Sequence, residues 1–279
     1  MKKLFYLHIK NMDNTTNPQK ATATYPIGLA LSGGGARGFA HLGALYAMDE
    51  MGIKPDIIAG VSAGAIVAAF YASGLKPLEI MKLFMISKFS DFCEIGMPRN
   101  GFFNMNGFKL FLKKYLPVER IEQCSVPVVL CATDLDSGTA VQWRKGAMAE
   151  RVMASCAIPI VFKPIKIDGV NYVDGGVMHN MPAWAIRKEC SHLIGINVSP
   201  LIKNKAPTGS ILEIAQRSYH LLARTNAISD LSLCDTVIST DTIASMQVFN
   251  MKEKERIFKS GYKSAKQALQ NSILFTGHK

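Results

Sequence analysis

Short apolar runs of strand length alternate along this chain with longer stretches in which apolar residues recur at helical spacing. Tyr25–Leu31 is such a run; it closes on a glycine cluster and predicts a central strand. From Gly38 to Met51 the residues Phe39, Leu42, Leu45, Tyr46 and Met48 keep a helical period. Asp56–Gly60 predicts a second strand. Ala63–Ser73 is Ala-rich and apolar throughout, which predicts a helix buried on all sides. Residues 77–116 read as mostly helical with a break at Cys93–Asn106. Val126–Thr133 predicts a strand that Gly138–Trp143 can pair with, and 146–155 a helix stopped before Pro159. Ile165–Val173 turns at Asp168-Gly169 and leads into Asp174. His192–Val198 predicts another strand, and Ile211–Ala227 and Lys252–Gln270 predict helices. Strands alternating with helices define an α/β sandwich with a largely parallel sheet. There is no internal repeat and no low-complexity segment.

Composition adds bounds. With 279 residues, 48% hydrophobic and 19% charged, the chain can bury a full core, which excludes wholesale disorder. One domain is expected, with a leader at 1–24, a catalytic portion at 25–200 and a mainly helical continuation at 201–279. Cys93, Cys124, Cys131, Cys156, Cys190 and Cys234 are scattered. That spacing argues against a disulfide framework or zinc site and for a reducing, cytoplasmic setting. The first ten residues are basic and apolar but include His8 and stop at Lys10, with no small-residue cleavage site after them. They read as a mobile or edge segment and not as an export signal. Ile57–Leu75 is 19 uncharged residues, the length of a membrane span. Its Gly60, Ser62, Gly64, Ser73 and Gly74 fit a strand turning into a core helix better.

Net charge is +11. Residues 1–20 hold four Lys against Asp13, and residues 252–279 hold seven Lys or Arg against Glu253 and Glu255, so the excess lies mainly at the two ends. Basic ends permit peripheral contact with an anionic membrane surface, although a solvated tail and helix accounts for the same charge. No nucleic-acid partner is expected.

Three motifs carry chemistry. The first is Ser32-Gly33-Gly34-Gly35-Ala36-Arg37-Gly38, between a strand and a helix. Gly33, Gly35 and Gly38 match a dinucleotide fingerprint, but the second strand ends in Gly-Val-Ser-Ala-Gly where a ribose-binding acid belongs. The other use of such a loop is to aim backbone N–H groups at an oxyanion, aided by the helix N-terminus. Arg37 can steady the loop or meet an anionic head group. The second motif, Gly60-Val61-Ser62-Ala63-Gly64, is a nucleophile elbow that would expose the Ser62 hydroxyl. The third is Asp174-Gly175-Gly176, a turn when taken alone. Beside a serine, Asp174 becomes a candidate base, since the hydroxyl needs one. Burial would raise its proton affinity and N–H donors would lower it. His41 and His179 lie close enough in sequence to these motifs to stand as alternative bases. Only one strand precedes the elbow strand, which departs from the α/β-hydrolase order.

These motifs, in this order, resemble the patatin-like phospholipase family. The glycine loop is similar to Gly33–Gly38, the nucleophile motif to Gly60–Gly64, and the family's Asp-Gly-Gly/Ala to Asp174–Gly176. Ala154-Ser155-Cys156-Ala157-Ile158-Pro159, with Phe162 and Pro164, resembles the segment before the aspartate, and Asn180 and Pro182 the one after it. Ser32 stands where plant members often carry Asp. The resemblance covers Tyr25 to about Val198. It implies a three-layer α/β/α fold and a Ser62–Asp174 dyad acting on acyl lipids. Amides around Gly34 and Gly35 would form the oxyanion hole. It implies a lipid or acyl-ester substrate, and no metal or other cofactor. A non-catalytic lipid-binding protein on the same fold, a serine esterase with a histidine base and a nucleotide-binding module are the competing readings. Residues 97–108 are either a greasy rim for lipid entry or a segment whose Phe102, Phe103 and Phe108 pack inward.

Overall fold

The computed structural model describes residues 23–86, 92, 94–95, 103–200, 210–240, 242, 252–270 and 272. In chain order the elements are β1 (Tyr25–Leu31), α1 (Phe39–Glu50), β2 (Ile57–Val61), α2 (Ala63–Ala72), α3 (Pro77–Met85), β3 (Glu94–Ile95), β4 (Phe103–Asn104), α4 (Asn106–Tyr115), β5 (Val128–Asp134), β6 (Thr139–Trp143), α5 (Met148–Ser155), β7 (Ile165–Ile167), β8 (Val170–Asp174), β9 (Cys190–Asn197), α6 (Ile211–Leu231), β10 (Thr236–Ser239) and α7 (Lys254–Gln270). Most of the N-terminal leader, residue Cys93 and, of 97–108, residues 97–102 lie outside the described residues.

Hydrogen-bonded neighbours in the main sheet run β10-β9-β1-β2-β5-β8-β7, with β6 also on β5. The block β10-β9-β1-β2-β5 is parallel, and β6, β8 and β7 join antiparallel. Strand residues alternate between two cores, as a period of two dictates. Leu29, Leu31, Ile58 and Leu130 face a core shared with α1, α2, α3, α4, α5 and α7. Ala30, Ile57, Ala59, Val61 and Val129 face a second core with Ala183, Ile186 and Ala227 of α6. Helical layers thus cover both faces, which is the three-layer α/β/α sandwich. The uncharged stretch 57–75 is β2 followed by α2, whose Ala65, Val67, Ala68, Ala69 and Phe70 are buried. Among the described residues no helix is long and apolar enough to cross a membrane.

One register positions the site. β2 pairs with the first half of β5, ending at Val61 opposite Cys131. β8 pairs with the next residues of β5, ending at Asp174 opposite Ala132. Since β6 occupies the other edge of β5 over Leu130–Asp134, β8 continues the edge that β2 vacates. The C-terminal ends of β2 and β8 therefore meet head to head beside β5.

The structure departs from the sequence expectations in small ways. The helical break before Asn106 contains the β3–β4 hairpin. The helix expected to end at Ala227 continues to Leu231, and β10 is an additional parallel strand. Phe108 is buried and Phe103 half-buried.

Candidate active site

Ser62 leaves β2 with φ 52° and ψ −122°, a backbone state that a non-glycine residue holds only when its surroundings impose it. The glycines flanking it explain how. A β-carbon at Gly60 would lie 2.6 Å from the Gly64 carbonyl oxygen and 2.7 Å from Ala65 Cα, and one at Gly64 would collide with the Leu31 carbonyl. The elbow packs backbone against backbone, so glycine is required at both positions. Ser155 at the end of α5 fastens the turn. The Ser62 N–H donates to Ser155 Oγ (2.8 Å), and that hydroxyl donates to the Cys131 carbonyl (2.6 Å).

Asp174 is fully buried. Its N–H donates to the Ala157 carbonyl (2.9 Å), and its Oδ1 accepts from the Gly176 N–H (2.8 Å). Oδ2 is buried with no hydrogen-bond partner in the structure. The Ser62 and Tyr219 hydroxyls approach the carboxyl closely enough to lower its proton affinity, as does the Gly176 N–H. Desolvation outweighs all three and raises the pKa from 3.8 to about 6. The balance that the sequence left open thus falls to burial. Gly175 and Gly176 start a tight 3-10 turn, and Asn226 of α6 donates from Nδ2 to the Gly176 (2.9 Å) and Val177 (3.1 Å) carbonyls.

The glycine loop sits against both motifs. Gly33 donates to the Asn180 carbonyl (3.0 Å), and Asn180 N–H donates to Asn226 Oδ1 (2.9 Å), which links the loop to α6. Gly34 caps a 3-10 turn over Gly35–Gly38 whose first internal bond runs from Arg37 N–H to the Gly34 carbonyl (3.2 Å). The amides of Gly34, Gly35 and Ala36 therefore have no acceptor within the turn. Gly38 gives way to α1 against Ala63 of the elbow. Arg37 is buried, and its Nε donates to the Gly34 carbonyl (3.3 Å), so it steadies the loop. Burial and the charge of Arg224 lower its pKa to about 9.

Neither histidine singled out in the sequence is hydrogen-bonded to Ser62 or Asp174. His41 is buried, with Nε2 on the Ser32 carbonyl (2.8 Å), and burial lowers its pKa to about 4. His179 Nδ1 pairs with Asp230 Oδ2 (2.8 Å). Among the described residues no three of His, Cys, Asp and Glu converge as metal ligands do.

Two pockets open on Ser62. A cavity of about 160 Å³ is lined by Phe39, Leu42, Val67, Phe84, Phe108 and Phe162, with Gly35, Ala36 and Cys156 at its Ser62 end. Dry apolar cavities of about this size hold a benzene-sized guest. On the other side a small polar pocket of about 20 Å³ is lined by Asn180, Ser199, Tyr219, His220 and Arg224, again with Gly34 and Gly35. Burial and the charges of Arg37, Arg224 and Arg217 lower the pKa of His220 to about 4. Sequence reasoning gave Ser155 and Tyr219 no part here. Ser155 lies in a block already noted for its resemblance; Tyr219 sits in a helix with no local signal.

The profile of the patatin-like phospholipase family matches residues 29–186, more than half of the chain. The chain belongs to that family. It is 30% identical over 167 residues to an uncharacterized NTE family protein of Mycobacterium tuberculosis, covering 56% of this chain and 44% of that one. It is 31% identical over 203 residues to the uncharacterized protein YqhO of Bacillus subtilis, covering 61% and 70%. The chain thus spans less than half the length of the mycobacterial relative. Its fold is similar to that of VipD from Legionella pneumophila, with a TM-score of 0.57 at 16% identity, covering 88% of this chain and 67% of that one.

Proposed function

We propose that the protein is a serine acyl hydrolase that cleaves ester bonds of lipids through a Ser62–Asp174 dyad. The observation that carries this reading is the head-to-head meeting of β2 and β8 on β5, which sets the serine and a buried carboxyl at one junction. Ser62 Oγ attacks the ester carbonyl while its proton passes to Asp174. The negative charge that develops on the carbonyl oxygen is met by amides of Gly34 and Gly35, and losing one such donor typically costs ~3–4 kcal/mol of barrier. The intermediate collapses to an acyl-serine, and the leaving alkoxide takes the proton from Asp174. Water then attacks the acyl-serine, gives its proton to Asp174, and the fatty acid departs as Ser62 is reprotonated.

The pKa of about 6 suits this duty, because the carboxylate is ionised at neutral pH yet basic enough to accept a proton. The apolar cavity accommodates the acyl chain, and the polar pocket faces the leaving group. His41 and His179 are committed to Ser32 and Asp230, which favours the direct dyad over a histidine base. Family membership supports a lipid substrate. The test is fatty-acid release from a panel of phospholipids, lysophospholipids and neutral acylglycerols. Turnover by the wild type and none by Ser62→Ala or Asp174→Asn supports the dyad. Full turnover by either variant, or dependence on His41 or His179 instead, overturns it.

A further inference from the structure

A helix beyond the matched family region reaches the base. α6 follows residues 29–186 in the chain. Its Asn226 donates to the Gly176 and Val177 carbonyls and accepts from the Asn180 N–H, which fixes the helix against the Asp174 turn. One helical turn before Asn226's neighbour Ala223 stands Tyr219, which lines the polar pocket at Ser62 with His220 and Arg224. A β-carbon on Gly176 would lie 2.5 Å from the Tyr219 hydroxyl oxygen and 3.1 Å from Asp174 Oδ1. The phenol thus takes the space a side chain at 176 would need, and glycine there lets it come up to the carboxyl.

The carboxyl has an acceptor to offer. Oδ1 takes the Gly176 N–H, while Oδ2 is buried with no hydrogen-bond partner in the structure. Burial and the Asp174 charge push the Tyr219 phenol well above its ordinary 10, so it keeps its proton and meets a carboxylate only as a donor. The other groups around Asp174 are Ser62 at the end of β2, Cys156 after α5 and Thr133 of β5. Cys156 is a neutral thiol, raised by burial and by the Asp174 charge. Thr133 Oγ1 donates to the Asp174 main-chain carbonyl (3.1 Å) and leaves the carboxyl alone. The groups that favour the ionised carboxyl are the Ser62 and Tyr219 hydroxyls and the Gly176 N–H. On the pocket side of Tyr219, Arg224 is cationic and His220 is neutral above about pH 4.

We propose that Tyr219 is a positioning residue for the base: its hydroxyl donates to the Asp174 carboxylate and holds it ionised and oriented toward Ser62. This rests on the acyl-hydrolase reading. The contact matters most in the acyl-serine, where the Ser62 hydroxyl is gone. Gly176 and Tyr219 then remain to hold the carboxylate that must take a proton from water.

The experiment compares wild type with Tyr219→Phe, which removes one oxygen and keeps the ring. The first readout is kcat/KM for a soluble p-nitrophenyl ester from about pH 5 to about pH 9. In Tyr219→Phe the acid limb should move up by about one unit. Activity then falls about fivefold near pH 6 and less than about twofold near pH 8.5. The second readout is urea unfolding, which reads the contact without chemistry. Raising the folded-state pKa further makes Tyr219→Phe lose stability against wild type progressively between about pH 5 and about pH 8. On an Asp174→Asn background the same substitution should give a difference that does not vary with pH. A loss of equal size at every pH, in turnover or in unfolding, marks packing alone and overturns the proposal. A wild type that turns over no ester overturns the hydrolase reading instead, and the unfolding readout still decides the Tyr219 contact.

Discussion

Asp174→Asn should stabilise the protein at neutral pH while disabling it. In the folded state the carboxyl titrates at about 6, above its ordinary 3.8. Between those values the folded chain keeps a proton that the unfolded chain has lost, so wild-type stability declines as pH rises through that window and levels off above it. The gap corresponds to about 3 kcal/mol. Asparagine is neutral at every pH, keeps an oxygen for the Gly176 N–H and lacks this slope. Relative to the wild type, the variant should gain up to about 3 kcal/mol between about pH 4 and about pH 7. Urea unfolding followed by fluorescence of Trp143 and Trp184 measures the difference at each pH, and effects common to both proteins cancel. A difference that stays flat with pH, or one that moves against the variant as pH rises, would refute the claim that burial controls this carboxyl.

The same titration predicts that kcat/KM for a soluble ester rises as pH passes about 6 and then holds, because the base must be ionised; a pH–rate profile tests this. Ser155→Ala removes the link between Ser62 N–H and the Cys131 carbonyl. It should cost about 1–3 kcal/mol in urea unfolding and lower kcat more than it raises KM. Gly64→Ala drives a methyl into the Leu31 carbonyl and should cost at least ~2 kcal/mol by thermal or urea unfolding, or prevent folding outright. Val67→Phe fills the apolar cavity, so an acyl chain-length series should show the preference moving to shorter esters.

Much of this was legible because the pattern is local. β1 runs Tyr25–Leu31 as read from the sequence, since a glycine-bounded apolar run of that length has few other uses. The elbow was visible in the spacing of Gly60, Ser62 and Gly64, and the structure supplies the reason, backbone contacts at under 3 Å. β10 escaped notice because four residues with Val237 exposed give no usable periodicity. The meeting of β2 and β8 on one edge of β5 is a matter of register across more than a hundred residues, which no local spacing encodes. The role of Ser155 and the approach of Tyr219 to Asp174 depend on that same register, so they appear only once the sheet is assembled.

Labelling with a fluorophosphonate probe, followed by peptide mapping, addresses the central claim most directly. The account predicts a single adduct on Ser62, absent in Ser62→Ala and strongly slowed in Asp174→Asn, with labelling unaffected when His179 is replaced by Ala. No adduct on Ser62, or full-rate labelling without the Asp174 carboxylate, would contradict it.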